Sequence, residues 1–203
     1  MNPFTIYLTI FFVVFAVSVE GQEFVTDIDG NEYKTIKIGA QIWMEENLKV
    51  AHYRNGDAIP NIQDPKQWNE LTIGAYCDVA NNPAKSDSLG RLYNWYAVSD
   101  ERNVCPSGWH IPGESEWQVL VKFLLETPDA KSLNKKIFNL LQSDFRGYDG
   151  EFLGNGYGGG AWWSSSPATS ETAYYHGINY NTVGKIRMEG RKTFGYSIRC
   201  IKD

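Results

Sequence analysis

A single clear helical pattern stands out in a chain otherwise broken by turn-forming residues, which favours a mixed fold with one main helix. In segment 114–126, apolar side chains recur at positions i, i+3, i+4, i+7 and i+8 and form one stripe: Trp117, Leu120, Val121, Leu124 and Leu125. Gly113 can serve as the N-cap, and Glu114 and Glu116 suit the positive end of a helix. We therefore predict one helix with a single buried face, and we interpret its two carboxylates as helix-start acids and not as a catalytic pair.

The composition is that of a folded domain and not that of a nucleic-acid-binding protein. Of 203 residues, 42% are hydrophobic, which is enough for a core and excludes a disordered chain. The formal net charge is −5, so the excess of basic residues expected of a nucleic-acid binder is missing. Three cysteines and three histidines leave little material for a zinc cluster. We expect no nucleic-acid partner, no metal and no cofactor.

The N-terminal segment is too apolar to belong to the folded domain. Residues 6–17 form an uninterrupted run without charge, and the first charged residue is Glu20. This run is short for a membrane-spanning helix, which needs about 20 apolar residues, and small residues follow it as at a cleavage site. We predict a signal peptide at residues 1–21, cleaved near Gly21, and a single secreted or cell-envelope domain at residues 22–203 without a membrane span. A retained anchor is the less favoured alternative.

Residues 24–38 have the alternation of a β-hairpin. Apolar and polar residues alternate on both sides of Asp29-Gly30, a pair that supplies the positive φ of a tight turn. The acidic spacing around this pair also resembles the start of an EF-hand calcium loop. That loop requires glycine at its sixth position and glutamate at its twelfth, where this chain has Glu32 and Ile38. We therefore predict the hairpin.

The middle of the chain is less regular. Residues 41–48 indicate a strand or a short turn, and residues 92–98 form an aromatic island without a clear period. Residues 54–87 are rich in Asn, Asp, Pro and Lys, which is typical of long surface loops. A second short helix is indicated from residue 127 toward residue 136.

The last third of the chain has the composition of short strands and tight turns. Residues 146–184 interleave glycine with Tyr, Trp, Ser and Asn, and residues 192–203 alternate as a final strand. Residues 154–159 match the dinucleotide-binding pattern G-x-G-x-x-G by letter. That pattern must open a helix, whereas residues 161–167 favour a strand and a turn. We interpret these glycines as turn residues.

The sequence contains no assembled catalytic or metal-binding set. His52, His110 and His176 are isolated from one another, and none has metal-ligand spacing. Ser197 lacks the second glycine of a nucleophile elbow. We expect His110, which precedes the predicted helix, to be packed or hydrogen-bonded beside the start of that helix.

The three cysteines allow three alternative single disulfides in an oxidising compartment: Cys77, Cys105 and Cys200 are the possible members. A bridge between Cys105 and Cys200 would close a long loop and contribute about 4–5 kcal/mol in the chain-entropy estimate. The spacing alone does not choose between the pairings.

Trp162 and Trp163 are consecutive and fall in a predicted strand. Side chains of neighbouring strand residues point to opposite faces, so simple alternation places at most one of the two in the core. The other is then a sugar-stacking platform, an anchor for a partner, or a cover for a loop. A structural role is favoured for the pair.

Seven segments agree, in the same order, with one protein family. They are 26–33 (TDIDGNEY), 43–49 (WMEENLK), 74–77 (GAYC), 90–97 (GRLYNWYA), 105–112 (CPSGWHIP) with Glu116-Trp117, 162–166 (WWSSS) and 195–200 (GYSIRC). The chain resembles the Fibrobacter succinogenes major paralogous domain family, found in secreted and envelope proteins of the Bacteroidetes–Fibrobacteres group. The resemblance spans residues 24–203.

The resemblance implies an α+β fold similar to C-type-lectin-like domains and to the formylglycine-generating (sulfatase-modifying-factor) superfamily. Such a fold has one main helix, short antiparallel strands, long loops and a terminal strand beside an early one. It also implies a Cys105–Cys200 disulfide, which leaves Cys77 as a buried free thiol. The Cys-x4-Cys pair of formylglycine-generating enzymes and the calcium motifs of lectins are both missing from the sequence.

Our leading hypothesis is a non-catalytic binding or adhesion module for a glycan or a cell-surface protein. Candidate ligand-binding residues are the aromatics of the Gly/Asn-rich segments: Tyr157, Trp162, Trp163, Tyr174, Tyr175 and Tyr180. One alternative is a structural unit of a surface assembly. A formylglycine-generating oxidase is disfavoured because its cysteine pair is missing.

Overall fold

The computed structural model describes residues 23–127, 144–153, 159–179 and 186–203, which form an α+β fold, as predicted. One sheet contains β1 Phe24–Thr26, β2 Glu32–Ile38, β3 Gln41–Met44, β6 Trp109–His110 and β12 Ile201–Lys202. A second contains β9 Gly159–Pro167, β10 Thr172–Asn179 and β11 Ile186–Arg191. Two small sheets pair β4 Tyr76–Asp78 with β5 Arg91–Tyr93, and β7 Phe145–Arg146 with β8 Phe152–Leu153. All these strand pairs are antiparallel.

The helices in the same ranges are α1 Pro65–Asn69, α2 Pro83–Leu89, α3 Trp95–Val98 and α4 Glu114–Glu126, with a 3-10 turn at Val79–Asn81. The order across the five-stranded sheet is β1-β2-β3-β12-β6, and across the three-stranded sheet β11-β10-β9. In the described part of the chain, no helix is both long and apolar enough to cross a membrane.

The hairpin predicted at residues 24–38 is confirmed as β1 and β2. Asp27 holds its turn, because one carboxylate oxygen accepts the backbone N–H groups of Asp29 and Asn31, both at 2.9 Å. The other oxygen accepts the Tyr33 hydroxyl at 2.6 Å. Gly30 adopts a φ of 83°, the left-handed conformation that favours glycine. The Asp27 carboxylate, first in the calcium-like spacing, is therefore used within the turn.

The predicted helix is confirmed as α4, with Gly113 as its N-cap. The Glu116 side chain reaches back and accepts the Gly113 N–H at 2.8 Å. Trp117, Leu120 and Leu124 are buried, as expected, but Leu125 is 60% exposed. Leu125 lies about 80° around the helix from Trp117, at 100° per residue, and this is beyond the strip that the sheet covers.

The Cys105–Cys200 disulfide implied by the family resemblance is present, and Cys77 is a buried free thiol. Next to the bridge, Ile201 of β12 pairs with both Trp43 of β3 and His110 of β6. The terminal strand therefore lies inside the sheet, beside an early strand.

The final segment forms less regular strand than predicted. Only β12 is a strand there, while residues 195–198 cross the core and make single bridges to several elements. Tyr196 exchanges backbone hydrogen bonds with Tyr93 at 2.9 and 3.1 Å, and the next carbonyl accepts from Trp163 N–H at 3.1 Å. The alternating sequence fits this path because the segment is extended, but it runs between sheets and not along one.

Residues 54–87 are not the long surface loops that their polar composition indicates. They contain α1, β4 and most of α2, and Trp68 of α1 is fully buried. The Trp68 indole N–H donates to the Thr193 carbonyl at 2.6 Å, and the guanidinium carbon of buried Arg146 lies 4.4 Å from the Trp68 ring centroid. Arg146 in turn donates to the Gly150 and Gln63 carbonyls at 2.7 and 2.6 Å. A few buried anchors therefore fix a segment that is mostly polar. The second helix predicted from residue 127 lies outside the described residues.

Candidate binding surface

Trp162 and Trp163 are both buried, with 1% and 0% exposure. Trp162 packs in one core cluster together with Trp43 and Trp117. Trp163 lies in the other cluster, with its ring centroid 4.7 Å from that of Tyr196. The two side chains point to opposite faces of β9, but both faces are covered, so the expectation that at most one lies in the core is wrong. Neither ring offers a platform to a ligand.

Tyr175 also belongs to the inner side of the three-stranded sheet. Its ring stacks on that of Tyr196, with centroids 4.3 Å apart and planes at 26°. Its hydroxyl donates to the Met188 sulfur at 3.4 Å. Tyr175 therefore has a packing role in this structure. The remaining candidates, Tyr157 and Tyr180, lie outside the described residues.

Tyr174 lies on the opposite face of β10 and carries the surface of interest. Across the strand pair it faces Glu189 of β11, and Arg187 lies two residues along on the same face. The guanidinium carbon of Arg187 is 3.9 Å from the Tyr174 ring centroid, which is a close cation–π contact. These three side chains and Met188 line an open depression of about 420 Å³. We call this set the Tyr174 surface.

Glu114, the first residue of α4, contacts two residues on the same face of the sheet as Tyr174. One carboxylate oxygen lies 2.6 Å from Nε2 of His176, and the other lies 3.1 Å from Nε of Arg187. The backbone N–H of Glu114 donates to the Ser166 hydroxyl at 3.1 Å. The His176 ring is buried and stacks on that of Trp117, with centroids 4.5 Å apart and planes at 14°. The carboxylate is therefore fixed by its contacts with β10 and β11 of the sheet.

This support orders the Arg187 side chain before any ligand arrives. Arg187 is held at Nε by Glu114 and along its flat face by Tyr174, yet its side chain stays 46% exposed. Within the described ranges, no acceptor pairs with its two NH₂ groups. A ligand that bonds to them meets a side chain whose freedom is already reduced, which lowers the entropic cost of binding.

The sequence identified only part of this surface. The sequence makes Tyr174 a candidate, but it indicates only a helix-start acid at Glu114 and an isolated histidine at His176. Arg187 and Glu189 alternate on one strand, and that alternation was the available signal. It carries no information until the β10–β11 register is known, because the register places the two charges around Tyr174.

The other histidines also have carboxylate partners. His110 lies between Asp203, 2.6 Å from its Nδ1, and Glu116, 2.7 Å from its Nε2, so the prediction that it is hydrogen-bonded beside the helix start is confirmed. Burial pulls the His110 pKa down, but the two carboxylates outweigh that effect, and the pKa lies above its usual value. His52 Nδ1 lies 2.5 Å from Asp29, at the hairpin turn.

The cysteines give no sign of thiol chemistry. Cys105 and Cys200 form the disulfide, and burial raises the pKa of the Cys77 thiol to about 12, so the thiolate is scarce at neutral pH. In the residues that the structure describes, no three His, Cys, Asp or Glu side chains are grouped as metal ligands.

Residues 36–138, just over half of the chain, match the family model described as the Fibrobacter succinogenes major domain. The matched part includes β3, β6 and the end of β2 from the five-stranded sheet, together with the four helices of the described residues. No curated protein and no solved structure shows significant similarity to the chain.

Proposed function

The chain belongs to the Fibrobacter succinogenes major domain family, and we propose that it is a non-catalytic binding module of the cell envelope or of the secreted proteins. The apolar run ahead of Glu20 supports export, since it has the length of a signal-peptide core and is followed by the small residues Ser18 and Gly21. The Cys105–Cys200 disulfide supports the same compartment, because such bridges persist in oxidising environments.

We further propose that the fold is related to C-type-lectin-like and formylglycine-generating-enzyme-like domains. Three features support this: α4 is the longest helix of the described residues, the strands are antiparallel, and β12 lies beside the early strand β3. The proposal concerns architecture alone. It carries no calcium site and no copper site to this chain.

The ligand that we favour is a glycan bound at the Tyr174 surface. The observation that carries this is an aromatic ring in an open depression, with a fixed guanidinium stacked on one of its faces and a carboxylate beside it. Apolar faces of a sugar ring pack on aromatic rings, while its hydroxyls accept from guanidinium groups and donate to carboxylates. Arg187 and Glu189 have opposite charges, and Glu114 balances Arg187 further, so a hydroxyl-rich neutral ligand suits the surface better than a strongly charged one.

The test is a glycan-array screen of the mature chain, followed by calorimetric titration with any oligosaccharide that binds. Tyr174→Ala and Glu189→Gln should each weaken binding about tenfold or more, as expected of residues central to a small site. Tyr148→Ala is a matched control, because Tyr148 is 49% exposed and also has an arginine, Arg191, 4.9 Å from its ring centroid. The proposal is wrong if no glycan binds, or if the Tyr174 and Tyr148 variants behave alike.

A cell-surface protein is the alternative ligand for the same surface. In that case the immobilised chain should retain a native envelope protein, and Tyr174→Ala should abolish this retention. No glycan on the array should bind.

An oxidase of the formylglycine-generating type fits this chain poorly. Its chemistry needs two neighbouring cysteines, whereas Cys105 and Cys200 are bonded to each other and Cys77 is buried. A thiol count together with a copper titration of the oxidised protein tests this directly. Stoichiometric copper binding that depends on Cys77 would support the oxidase.

A further inference from the structure

In the part of the chain that the structure describes, the outer side of β11 has no partner strand. Across the described residues, β11 pairs only with β10, and it forms the edge of the three-stranded sheet. One hydrogen bond shows which β11 residues bond to β10. Just beyond the strand, Lys192 pairs with Glu171, and the Lys192 N–H donates to the Glu171 carbonyl at 3.0 Å. Bonded and non-bonded pairs alternate in an antiparallel ladder. The backbone groups of Arg187, Glu189 and Arg191 therefore point away from β10.

The side chains of these three outward residues are exposed and alternate in charge: arginine, glutamate, arginine. Charges on an edge strand commonly protect it against association. When all the charges on an edge strand have the same sign, they repel the same strand of a second copy in every register. A row of alternating sign is different, because an antiparallel copy can place each charge opposite its counter-charge.

We propose that β11 pairs antiparallel with β11 of a second copy of this chain, around a two-fold axis at Met188. In this register Arg187 lies opposite the partner's Glu189, and Glu189 lies opposite the partner's Arg187. Both are outward residues, so their backbone groups can complete the ladder. The interface is isologous, as in most homodimers, and joins two three-stranded sheets into one.

Other symmetric registers also place outward residues opposite each other, but their charge pairing or their strand overlap is less favourable. Centring on Arg187 or on Glu189 places like charges face to face, which is unfavourable for cross-strand pairs. Centring on Gly190 pairs Glu189 with the partner's Arg191, but it overlaps only residues 189–191. The register centred on Met188 overlaps residues 186–190 and makes two ion pairs.

The pairing goes beyond glycan binding and does not depend on it, because it uses the β11 backbone and needs no ligand. It has one consequence for the Tyr174 surface. The depressions of the two copies would meet across the two-fold axis, so a long ligand could contact both. The strand overlap is short, and we expect reversible association that grows with protein concentration.

The test is sedimentation equilibrium of the mature chain from micromolar to near-millimolar concentration. The wild-type average mass should rise toward that of a dimer. Arg187→Glu places two glutamate pairs in the interface, and Glu189→Arg places two arginine pairs, so each variant alone should associate at least about tenfold more weakly, the loss expected when opposite charges become like charges. An equimolar mixture of the two variants should recover the dimer, because every cross-strand pair is then of opposite sign.

Two controls separate the outcomes. The new glutamate of Arg187→Glu would lie beside Glu114, so thermal unfolding must show that this variant is folded. The side chain at position 189 is exposed, so Glu189→Arg tests the pairing independently. Tyr174→Ala should weaken glycan binding about tenfold or more and leave the dimer intact, so failure of one proposal is distinct from failure of the other. If the wild type is a monomer at every concentration, the pairing is wrong, and the charges of β11 protect the edge strand against association. A dimer that persists in both single variants overturns it as well.

Discussion

Replacing both Cys105 and Cys200 with serine should remove a large part of the stability of this domain. The bridge spans 95 residues. In the chain-entropy estimate, a loop of that size lowers the entropy of the unfolded chain by about 16 cal/mol/K, or about 4.7 kcal/mol at 25 °C. Domains are typically stable by only about 5–15 kcal/mol. The reduced domain is therefore expected to be close to its unfolding threshold.

The assay is urea unfolding followed by tryptophan fluorescence, which is informative because Trp43, Trp68 and Trp117 are buried. The double variant should lose about 4–5 kcal/mol, and its urea dependence should steepen, because an unfolded chain without the bridge exposes more surface. Cys77→Ala is the matched control: it removes a buried sulfur but opens no loop. The reasoning is refuted if the double variant loses less than about 1 kcal/mol, or no more than the control, since loop closure would then not be the contribution of the bridge.

Three further outcomes are expected. Leu124→Ala should cost about 2–5 kcal/mol in urea unfolding, while Leu125→Ala one position along should stay within about 0.5 kcal/mol; equal costs would contradict the packed face of α4. The His110 pKa is raised in the folded state, so its stabilising effect is complete below the unfolded pKa of 6.5 and is lost as the pH rises through the folded value. The advantage of the wild type over His110→Gln should thus shrink between pH 5.5 and pH 8.5, and a pH-independent difference would contradict the carboxylate contacts. Cys77 should not react with a thiol reagent until the protein unfolds, and rapid labelling of the native protein would contradict its burial.

Local patterns were predicted correctly because their physics is contained in a few neighbouring residues. The helix follows from the spacing of Trp117, Leu120 and Leu124, and the hairpin follows from the turn at Gly30. Residues 54–87 were misjudged for the opposite reason. Their polar composition is typical of loops, but Trp68 anchors them in the core through contacts with residues far along the chain. Composition does not encode such contacts.

The candidate surface was predictable only in part, because it depends on non-local register. The residue type identifies Tyr174, whereas counting strand faces wrongly leaves one of Trp162 and Trp163 outside the core, since both are buried. The side chains that order the surface are Glu114 of α4 and Arg187 of β11. Each lies more than ten residues from Tyr174 along the chain, one before it and one after it. The family resemblance supplied the Cys105–Cys200 pairing that spacing could not, because three pairings were equally compatible with the sequence.

The position of β12 limits when this domain can fold. Ile201 pairs with Trp43 on one side and His110 on the other, so residues near the C-terminus occupy the interior of a sheet built mostly from early strands. Such long-range pairings form late, since the loop between them must close first. During synthesis the sheet cannot be completed until residue 202 has left the ribosome. Until then, β3 and β6 lack the strand that they share, and the core that they cover stays incomplete.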